Sequence, residues 1–396
     1  MVELNHSADS YRKALVATLK QQEGLLDNAL EEAFLAIPRH LFLPEVPLDV
    51  AYSDDAIPIK RDNDGSVLSS SSQPSMMALM LRQLRLREGD NVLEIGAGTG
   101  YNAAIMQQLV GEEGTVTSIE LDNQLAQRAE KNLQSVRLGA VVKIVSADGA
   151  LGYAPRASYD RIIATAALWD VPTAWEKQLK PDGILVAPIW LESMQVSAAF
   201  VVQPDGTLYS RTNIPCGFIP LRGMAAGPNS IRRVSGSTLV LSSNHVKRLD
   251  SAALHLLLSD DAETTTMDIA LSFSEIWRGF LPYLTLNTPR DYVFALYSVG
   301  ENQRDYGLED SGFALITRGS ACFVKYQGSG EVRLFGSADA FLALRDVLAE
   351  WERAKRPSAE RLRVQLLAHN SGETTERPNA TIYTRQYHDV HVWMDI

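Results

Sequence analysis

Cysteine is scarce in this chain of 396 residues, because Cys216 and Cys322 are the only two. Two cysteines cannot build a disulfide framework or a structural zinc site. The seven histidines are scattered, and His388 and His391, which flank Asp389 on one predicted strand, do not make a metal site. We therefore expect free thiols in a reducing compartment and no bound metal.

Long apolar runs and an excess of basic charge are also missing. No run approaches the roughly 20 apolar residues that a bilayer-crossing helix needs. The N-terminal residues carry charges throughout, unlike a secretion signal. The net charge of −11 argues against a general phosphate-backbone binder. We therefore expect a cytoplasmic protein with no membrane and no nucleic-acid partner, whose oligomeric state the sequence leaves open.

A regular alternation of strands and helices fills the middle of the chain. It predicts a doubly wound, mostly parallel α/β sheet. The Pro-Asp-Gly turn at 204–206 lies between two apolar stretches and predicts a hairpin, so this sheet should finish antiparallel. The predicted strands are 91–95, 115–120, 141–146, 159–165, 183–189, 195–202 and 207–214, and the predicted helices are 76–86, 101–110, 124–136 and 171–179.

Two further regions flank this alternation. The first 35 or so residues predict amphipathic helices, and prolines then break the chain into an extended, irregular stretch up to about residue 68. Glycine and proline cluster near 224–230 and mark a boundary. Beyond it, Ser337 could cap an amphipathic helix, and the alternating end at 379–395 predicts strands. We therefore predict three units, namely an N-terminal segment packing on the central domain (1–68), the central domain (69–224) and a C-terminal α+β domain (225–396).

A glycine-rich turn, GAGTG at 96–100, connects the strand at 91–95 to the next helix. Glycines allow a sharp turn and let a ligand approach the main chain, whose amides can donate to it. A dinucleotide fingerprint needs G-x-G-x-x-G, and Tyr101 stands where its third glycine belongs. A nicotinamide or flavin dinucleotide is therefore disfavoured.

Acidic residues stand at or just after the ends of three predicted strands. Glu94 lies in the strand before the loop, Glu120 ends the next strand, and Asp148-Gly149 follows the third. An acid about twenty residues after such a loop can accept hydrogen bonds from two ribose hydroxyls. Taken singly, each of these acids could be an ordinary turn residue or a solvated side chain.

Together, the pattern E-x-G-x-G-x-G and the later acids resemble the cofactor motifs of class I methyltransferases. The resemblance implies a Rossmann-like central domain that binds S-adenosyl-L-methionine and yields S-adenosyl-L-homocysteine. In such enzymes the loop packs against a cofactor without phosphates, and the acid after the third strand lies near the adenine amine. The implied cofactor-binding residues are Glu94, Gly96, Gly98, Thr99, Gly100, Glu120, Leu121, Asp148 and Gly149.

Eight segments in the same order resemble the protein-L-isoaspartate O-methyltransferase family. IPRHLF and the SQP segment are far more specific than the glycine loop. The resemblance implies an enzyme that methylates an aspartyl or L-isoaspartyl side-chain carboxylate in a protein or peptide, after which the ester closes to a succinimide. The segments are AIPRHLFLPE (36–45), AYSDDAIPI (51–59), SSQPSMMA (71–78), VLEIGAGTGYNAA (92–104), ADGALG (147–152), YDRIIATAA (159–167), PTAWEKQLKPDGILVAPI (172–189) and GFIPLRG (217–223).

The resemblance also implies the acceptor site. The family's reactive-site serine precedes Gln-Pro, which here is Ser72, although Ser72 could instead cap the following helix and Ser70 or Ser71 could share its function. Asp54 is implied at the substrate edge, with a simple turn residue as the alternative. Residues 219–221 either close over the substrate or pack in the core. A carboxylate with a pKa near ~4 is already ionised, so the reaction needs alignment rather than a general base.

Two departures from the family leave the substrate open. The family usually shows Thr-Ile-Ser where this chain has three serines at 70–72, and the C-terminal region is extra. Both features resemble a longer subgroup that is often associated with modified ribosomal peptides. The enzyme could repair isoaspartate in many damaged proteins, or form an aspartimide in one constrained peptide that the C-terminal domain recognises. A catalytically weak binding protein is disfavoured by the retained motifs, and a small-molecule methyltransferase by IPRHLF and SQP.

Overall fold

Two large β-sheets, of ten and seven strands in the described part of the chain, and a separate two-stranded hairpin form the frame of the protein. The computed structural model describes residues 2–22, 24–63, 65–267, 269–300, 303–327, 330–369 and 379–396. None of the described helices combines the length and hydropathy that a membrane-crossing helix needs.

The helices and strands have the following bounds. The helices are α1 (Val2–Gln21), α2 (Asn28–Ala36), α3 (Leu48–Ala51), α4 (Pro74–Leu84), α5 (Tyr101–Val110), α6 (Asn123–Ser135), α7 (Thr173–Gln178), α8 (Ser251–Ser259), α9 (Leu281–Asn287) and α10 (Asp339–Arg353), with a π-helix at Glu275–Phe280 before α9. The strands are β1 (Ile57–Arg61), β2 (Val67–Ser71), β3 (Asn91–Ile95), β4 (Thr115–Glu120), β5 (Val142–Ser146), β6 (Tyr159–Ala164), β7 (Leu179–Leu191), β8 (Met194–Val202), β9 (Leu208–Cys216), β10 (Ile231–Arg233), β11 (Val240–Ser242), β12 (Glu263–Thr266), β13 (Val293–Ser298), β14 (Ser311–Ile316), β15 (Ser320–Lys325), β16 (Glu331–Gly336), β17 (Leu362–Ala368), β18 (Thr381–Thr384) and β19 (His388–Met394).

The first sheet confirms the predicted doubly wound, mostly parallel arrangement. Strands β5, β4, β3, β6 and β7 lie side by side and parallel, and β8 and β9 follow antiparallel. Val92, Leu93 and Ile95 of β3 are buried, as expected of a parallel strand covered on both faces. The strand order reverses at β3, between β4 and β6, and ligands of such sheets bind beyond the carboxyl end of the strand at this switch point.

The stretch before residue 68 is more regular than the sequence predicted. Strands β1 and β2 form an antiparallel hairpin, in which Ile57 lies opposite Ser71. Its turn is closed by a hydrogen bond from the Asp62 amide to the Ser66 carbonyl at 2.8 Å, and Gly65 has a φ of 84°. The prolines suggested an irregular segment, but Pro58 lies in an isolated two-stranded ribbon, where a missing amide is tolerated.

Helix α10 confirms the predicted apolar face but not its predicted cap. Phe341, Leu344, Leu348 and Trp351 are buried against the rest of the protein. The residue before the helix is Ala338, and the exposed hydroxyl of Ser337 donates to the Asp339 carboxylate. The Ala340 amide instead donates to the Ser320 hydroxyl at 2.9 Å, which is a contact from β15 that sequence spacing cannot reveal.

The chain after the predicted boundary near residue 224 first builds the second sheet and then returns to the first. The second sheet is antiparallel in the order β10-β11-β13-β14-β15-β16-β12. Strand β17 pairs with β9, where Gln365 lies opposite Tyr209, and β19 and β18 extend the same edge. The strands predicted at 379–395 are therefore present, and they join the first sheet. The division into three units stays a prediction.

A shared hydrophobic core joins the two halves of the chain. The cluster that contains Leu185 and Phe200 of the first sheet also contains Phe313 of the second sheet and Trp351 of α10. Polar contacts reinforce it, because the Asn213 side-chain amide donates to the Leu362 carbonyl at 2.8 Å. The C-terminal half thus packs on the first sheet through this core and extends the sheet at its β9 edge.

Candidate active site

The glycine loop lies at the carboxyl end of β3, at the switch point of the first sheet. Gly96 and Gly98 have φ values of 101° and 53°, in the region that favours glycine. A Cβ on Gly96 would lie 2.5 Å from the Thr165 Oγ1, so only glycine fits there. Gly98 faces the β1–β2 hairpin, with the Ser70 carbonyl 3.8 Å from the position of a Cβ. The loop therefore lies between Thr165 and the hairpin, and both glycines line a cavity there.

Glu120 holds this loop from the neighbouring strand. Its Oε2 accepts a hydrogen bond from the Gly98 amide at 2.9 Å, and its Oε1 accepts one from the Asp122 amide at 3.1 Å. A carboxylate has about four acceptor sites, so each oxygen can still accept a bond from a ligand hydroxyl. A phosphate would meet a negative charge and an occupied amide. The site therefore fits the ribose of S-adenosylmethionine better than a phosphate.

Glu94 lies beneath the loop, not beside the ligand space. Its side chain is fully buried, and it accepts hydrogen bonds from the Asn102 side-chain amide at 2.8 Å and from the Ser118 hydroxyl. Burial raises the pKa of Glu94, and although the bonds from Ser118 and Asn102 lower it, the pKa is about 7. Asn102 lines the cavity above. Sequence reasoning did not single out Asn102, through which Glu94 would act.

Asp148, which follows β5, bonds to the chain just after the segment at 217–223. Its Oδ2 accepts a hydrogen bond from the Met224 amide at 2.7 Å, and its Oδ1 accepts one from the Ala150 amide at 2.9 Å. The next residue, Gly149, lines the cavity, and a Cβ there would lie 2.5 Å from the Ile95 Cγ2. Asp148 therefore shapes this end of the cavity at the same time as it remains a candidate for contact with adenine.

A cavity of about 1190 Å³ opens above the loop. It exceeds the ~300–1,000 Å³ that is usual for one small ligand, so it has room for a cofactor and part of an acceptor. The predicted site residues that line it are Ser72, Asp54, Gly96, Gly98, Thr99, Glu120, Leu121 and Gly149. Glu94, Gly100 and Asp148 are not among the lining residues.

Arg39 fixes the turn that carries Ser72. Its Nη2 donates to the Ser72 carbonyl at 3.0 Å, and its Nε donates to the Ala51 carbonyl at 2.9 Å. The guanidinium is buried and lies 5.1 Å from the centre of the Tyr101 ring. The resemblance carried by IPRHLF assigned no role to this arginine. A charged residue inside an apolar motif was the available signal.

Asp54, not Ser72, satisfies the start of α4. Its Oδ1 accepts a hydrogen bond from the Ser75 amide at 2.8 Å, and its Oδ2 lies 3.4 Å from the Gln73 side-chain amide, which donates to it. The alternative that Ser72 caps this helix is wrong, because α4 has no side-chain cap from its own N-cap position and Ser72 lies one residue further out. Among the described residues, no partner bonds the Ser72 hydroxyl, which lines the cavity.

Residues 217–222 form another part of the cavity wall. The Ala167 amide donates to the Ile219 carbonyl at 2.9 Å, and the Leu221 amide donates to the Ala167 carbonyl at 2.8 Å. These bonds attach the segment to the chain that leaves β6. Ile219, Pro220 and Leu221 all line the cavity, so they bound the ligand space and do not belong only to the core.

The C-terminal half contributes side chains that sequence reasoning missed. Ile231, Phe273, Trp277 and Arg278 line the same cavity as Ser72. They lie more than 150 residues beyond the serine turn in the chain, and no local pattern links the two segments.

His388 is part of an ion-pair cluster away from the cavity. Its Nδ1 lies 2.8 Å from the Asp170 Oδ1, and its Nε2 lies 3.2 Å from the Glu176 Oε1. The two acids thus occupy opposite ring nitrogens. Over the described ranges, no group of three His, Cys, Asp or Glu side chains is arranged to hold a metal ion.

A family model for protein-L-isoaspartate(D-aspartate) O-methyltransferase matches residues 10–226. The chain belongs to this family. It is therefore an S-adenosylmethionine-dependent methyltransferase, as the sequence motifs predicted, and the glycine loop and the Glu120 carboxylate fit that cofactor.

Two relatives in sequence match about half of this methyltransferase, whereas a solved structure matches most of it. The protein-L-isoaspartate O-methyltransferase of Methanopyrus kandleri is 40% identical over 212 residues, which are 54% of this chain and 91% of the relative. That of Ignicoccus hospitalis is 39% identical over 211 residues, or 53% and 96% of the two chains. A solved structure of a protein-L-isoaspartate O-methyltransferase is 26% identical, covers 89% of this chain and 96% of its own, and has a TM-score of 0.50. The class I methyltransferase fold is thereby confirmed.

Proposed function

We propose that the methyltransferase esterifies the carboxylate of an aspartyl or L-isoaspartyl residue in a protein or peptide. The observation that carries the proposal is the unbonded Ser72 hydroxyl, which shares one cavity with the glycine loop. S-Adenosylmethionine supplies an activated methyl group on a sulfonium when it is bound. Ser72 would donate a hydrogen bond to one oxygen of the acceptor carboxylate and leave the other oxygen to attack the methyl carbon.

Other residues of the chain would orient the acceptor carboxylate relative to the methyl group. Arg39 and Asp54 hold the turn of Ser72 from two sides, so the hydroxyl needs little reorganisation when the acceptor arrives. Correct alignment alone can lower a barrier by ~7–11 kcal/mol in ideal cases. An ionised acceptor needs no general base, and none of the described residues that line the cavity is a histidine.

The ester would close to a succinimide without further help from the protein. The backbone nitrogen that follows the esterified residue attacks the ester carbonyl, methanol leaves with the proton of that nitrogen, and a five-membered imide forms. Methanol is a better leaving group than hydroxide, so esterification makes ring closure faster. In a flexible protein the imide then hydrolyses, partly to normal aspartate, whereas in a constrained peptide it can persist.

A dedicated tailoring reaction on one constrained peptide is the second candidate. It is favoured by the four cavity residues of the C-terminal half, because these side chains can contact substrate residues beyond the methylated one. In this version the C-terminal half narrows substrate choice, and the product is an aspartimide.

The test uses purified protein, labelled S-adenosylmethionine and three acceptors. These are a short isoaspartyl peptide, its aspartyl twin, and the aspartyl twin cyclised through a thioether. Label in the isoaspartyl peptide alone supports repair, and label only in the cyclic peptide, followed by loss of methanol in the mass spectrum, supports tailoring. Tight cofactor binding without methyl transfer to any of these carboxylates would overturn the proposal. Glu120→Ala serves as the variant with weakened cofactor binding.

A further inference from the structure

The π-helix at Glu275–Phe280 brings one face of the C-terminal half to the active-site cavity. Such wide turns are rare and occur frequently at functional sites. Its inner side is fixed, because Ile276 and Phe280 are buried and a Cβ on Gly279 would lie 2.8 Å from the Trp351 Cζ2. The outer side carries Trp277 and Arg278 into the cavity lining. The turn is therefore a rigid support with two large side chains exposed to the acceptor.

Phe273 and Trp277 form an aromatic shelf at this wall. Their rings are stacked, with centroids 6.2 Å apart and planes 7° apart. Tyr326 meets both rings edge-on at 5.7 Å and holds them from below. Phe273 nevertheless remains 51% exposed, so the shelf offers an uncovered aromatic face. A flat apolar or aromatic side chain of a substrate would gain contact area there.

The acidic side chains that line the cavity have hydrogen-bond partners, whereas the basic ones have no carboxylate partner in the part of the chain that the structure describes. Asp54 accepts a bond at the start of α4, and Glu120 accepts one from the glycine loop. Arg222 and Arg278 also line the cavity, and within the described ranges no carboxylate pairs with either guanidinium. The cofactor adds no negative charge, since its carboxylate is balanced by its ammonium group and its sulfonium is positive. The cavity therefore suits an acceptor segment with more than one acidic group.

We propose that Phe273, Trp277 and Arg278 contact the substrate residues next to the methylated one and so select the substrate sequence. The substrate class is a peptide segment in which an aromatic or large aliphatic residue and a second acidic residue lie close to the methylated one. The apolar side chain packs on the Phe273–Trp277 shelf, and the second carboxylate pairs with Arg278. This inference rests on the proposed carboxyl methylation and adds a sequence preference to it.

The first arm of the test varies the peptide. Seven-residue acceptors carry one isoaspartyl or aspartyl residue at the centre, with Phe or Gly and Glu or Gln scanned through the neighbouring positions. We expect wild-type kcat/KM to be roughly tenfold higher for the best Phe-containing peptide than for its Gly counterpart. We expect Glu in place of Gln to add roughly threefold, and this gain should shrink with added salt.

The second arm varies the protein. Phe273→Ala should remove the preference for Phe by raising KM with little change in kcat. The matched control is Leu342→Ala, because Leu342 is 49% exposed on α10 and does not line the cavity. Arg278→Glu should invert the charge preference, so that a peptide with Lys in place of Glu is restored to the wild-type level. Arg290→Ala is the control for loss of an exposed cation.

The outcomes separate this inference from the proposed function. If wild type methylates no acceptor, the proposed function fails. If wild type methylates all peptides with equal kcat/KM, carboxyl methylation stands and the sequence preference is wrong. If the sequence preference is unchanged in Phe273→Ala and in Arg278→Glu, then other residues select the substrate and the inference is wrong. Rescue of Arg278→Glu by the Lys peptide is the decisive result, because a merely structural loss would not be rescued.

Discussion

The carboxylate of Asp54 accepts a hydrogen bond from the amide of Ser75 at 2.8 Å, across a separation of 21 residues. It therefore caps α4 from outside the helix and leaves the hydroxyl of Ser72 free. Arg39 holds the same turn through the Ser72 carbonyl. The segment at 39–75 thus forms one part of the cavity wall, where we propose that the acceptor binds, and the first sheet forms the part that carries the glycine loop.

Asp54 should be replaceable by asparagine but not by alanine. Asparagine keeps an oxygen that accepts the Ser75 amide, whereas alanine removes it and should cost about 1 kcal/mol of unfolding free energy. We expect Asp54→Ala to lower acceptor kcat/KM roughly tenfold without changing the cofactor Kd, measured by steady-state kinetics and calorimetry. The neighbouring exposed residue offers a control in Asp55→Ala. Equal losses in Asp54→Asn and Asp54→Ala would mean that the negative charge matters and the cap does not.

Ser72→Ala should lower kcat by roughly 10- to 100-fold, because a hydrogen bond to a charged acceptor contributes about 1.5–3 kcal/mol. The cofactor Kd should not change, since the Arg39 bond is made to the backbone carbonyl, which the substitution keeps. Single-turnover methyl transfer measures the effect directly. Ser70→Ala and Ser71→Ala decide between the three serines, and a larger loss in either of them would move the acceptor contact away from Ser72.

The first sheet was predictable because its information is local. Apolar periodicity gave strands β3 to β6 to within about a residue at each end, and the Pro-Asp-Gly turn gave the hairpin of β8 and β9. The hairpin of β1 and β2 was missed because the prolines in this stretch predicted an extended, irregular segment. Family resemblance, rather than periodicity, supplied Ser72 and Asp54 as candidates.

Contacts between distant segments could not be predicted. Pairing of β17 with β9 joins residues more than 150 positions apart, and the sequence carries no register for it. The same holds for Trp277 and Arg278, whose place in the cavity depends on how the second sheet packs on the first. Glu94 is a further case, because its place in the motif gave no sign that it is buried and reaches the cavity only through Asn102. Its role towards the cofactor stays a prediction.

Glu94→Gln should make the protein more stable at neutral and higher pH. The pKa of Glu94 is about 7 in the fold against 4.5 ordinarily, mainly because of burial, so the fold favours the protonated form. The contribution that protonated Glu94 makes to the free energy of unfolding is complete below pH 4.5, and it is lost as the pH rises through 7. Glutamine is neutral throughout and can bond Asn102 and Ser118.

The gain from Glu94→Gln should therefore grow from near zero at acidic pH to about 3 kcal/mol at pH 8. Urea unfolding at several pH values measures it, with the exposed Glu113→Gln as the control. A difference between the variant and wild type that does not change with pH would show that Glu94 titrates alike in the folded and unfolded states.

The ion pair of His388 should stabilise the packing of the C-terminal strands on the first sheet, and most strongly in mild acid. Burial lowers the pKa of His388, but its contacts with Asp170 and Glu176 raise the pKa by more. The result is a pKa of about 9, against the ordinary 6.5. Asp170 also accepts the amides of Tyr387 and His388, so the charged pair lies where β19 meets the first sheet. Because its pKa is raised in the fold, His388 makes its full contribution to the free energy of unfolding below pH 6.5. This contribution is lost as the pH rises through 9.

His388→Gln should thus cost up to about 3 kcal/mol of unfolding free energy at pH 6, and this part of the cost should vanish by about pH 9.5. Urea unfolding followed by tryptophan fluorescence measures it, and His255→Gln on the exposed face of α8 controls for loss of an imidazole. Asp170→Asn should flatten the pH dependence in the same way, because it removes the charge that holds the proton. If the cost of His388→Gln is the same at pH 6 and pH 9.5, then the imidazole is neutral in the folded protein and its ion pair does not hold the C-terminal strands in place.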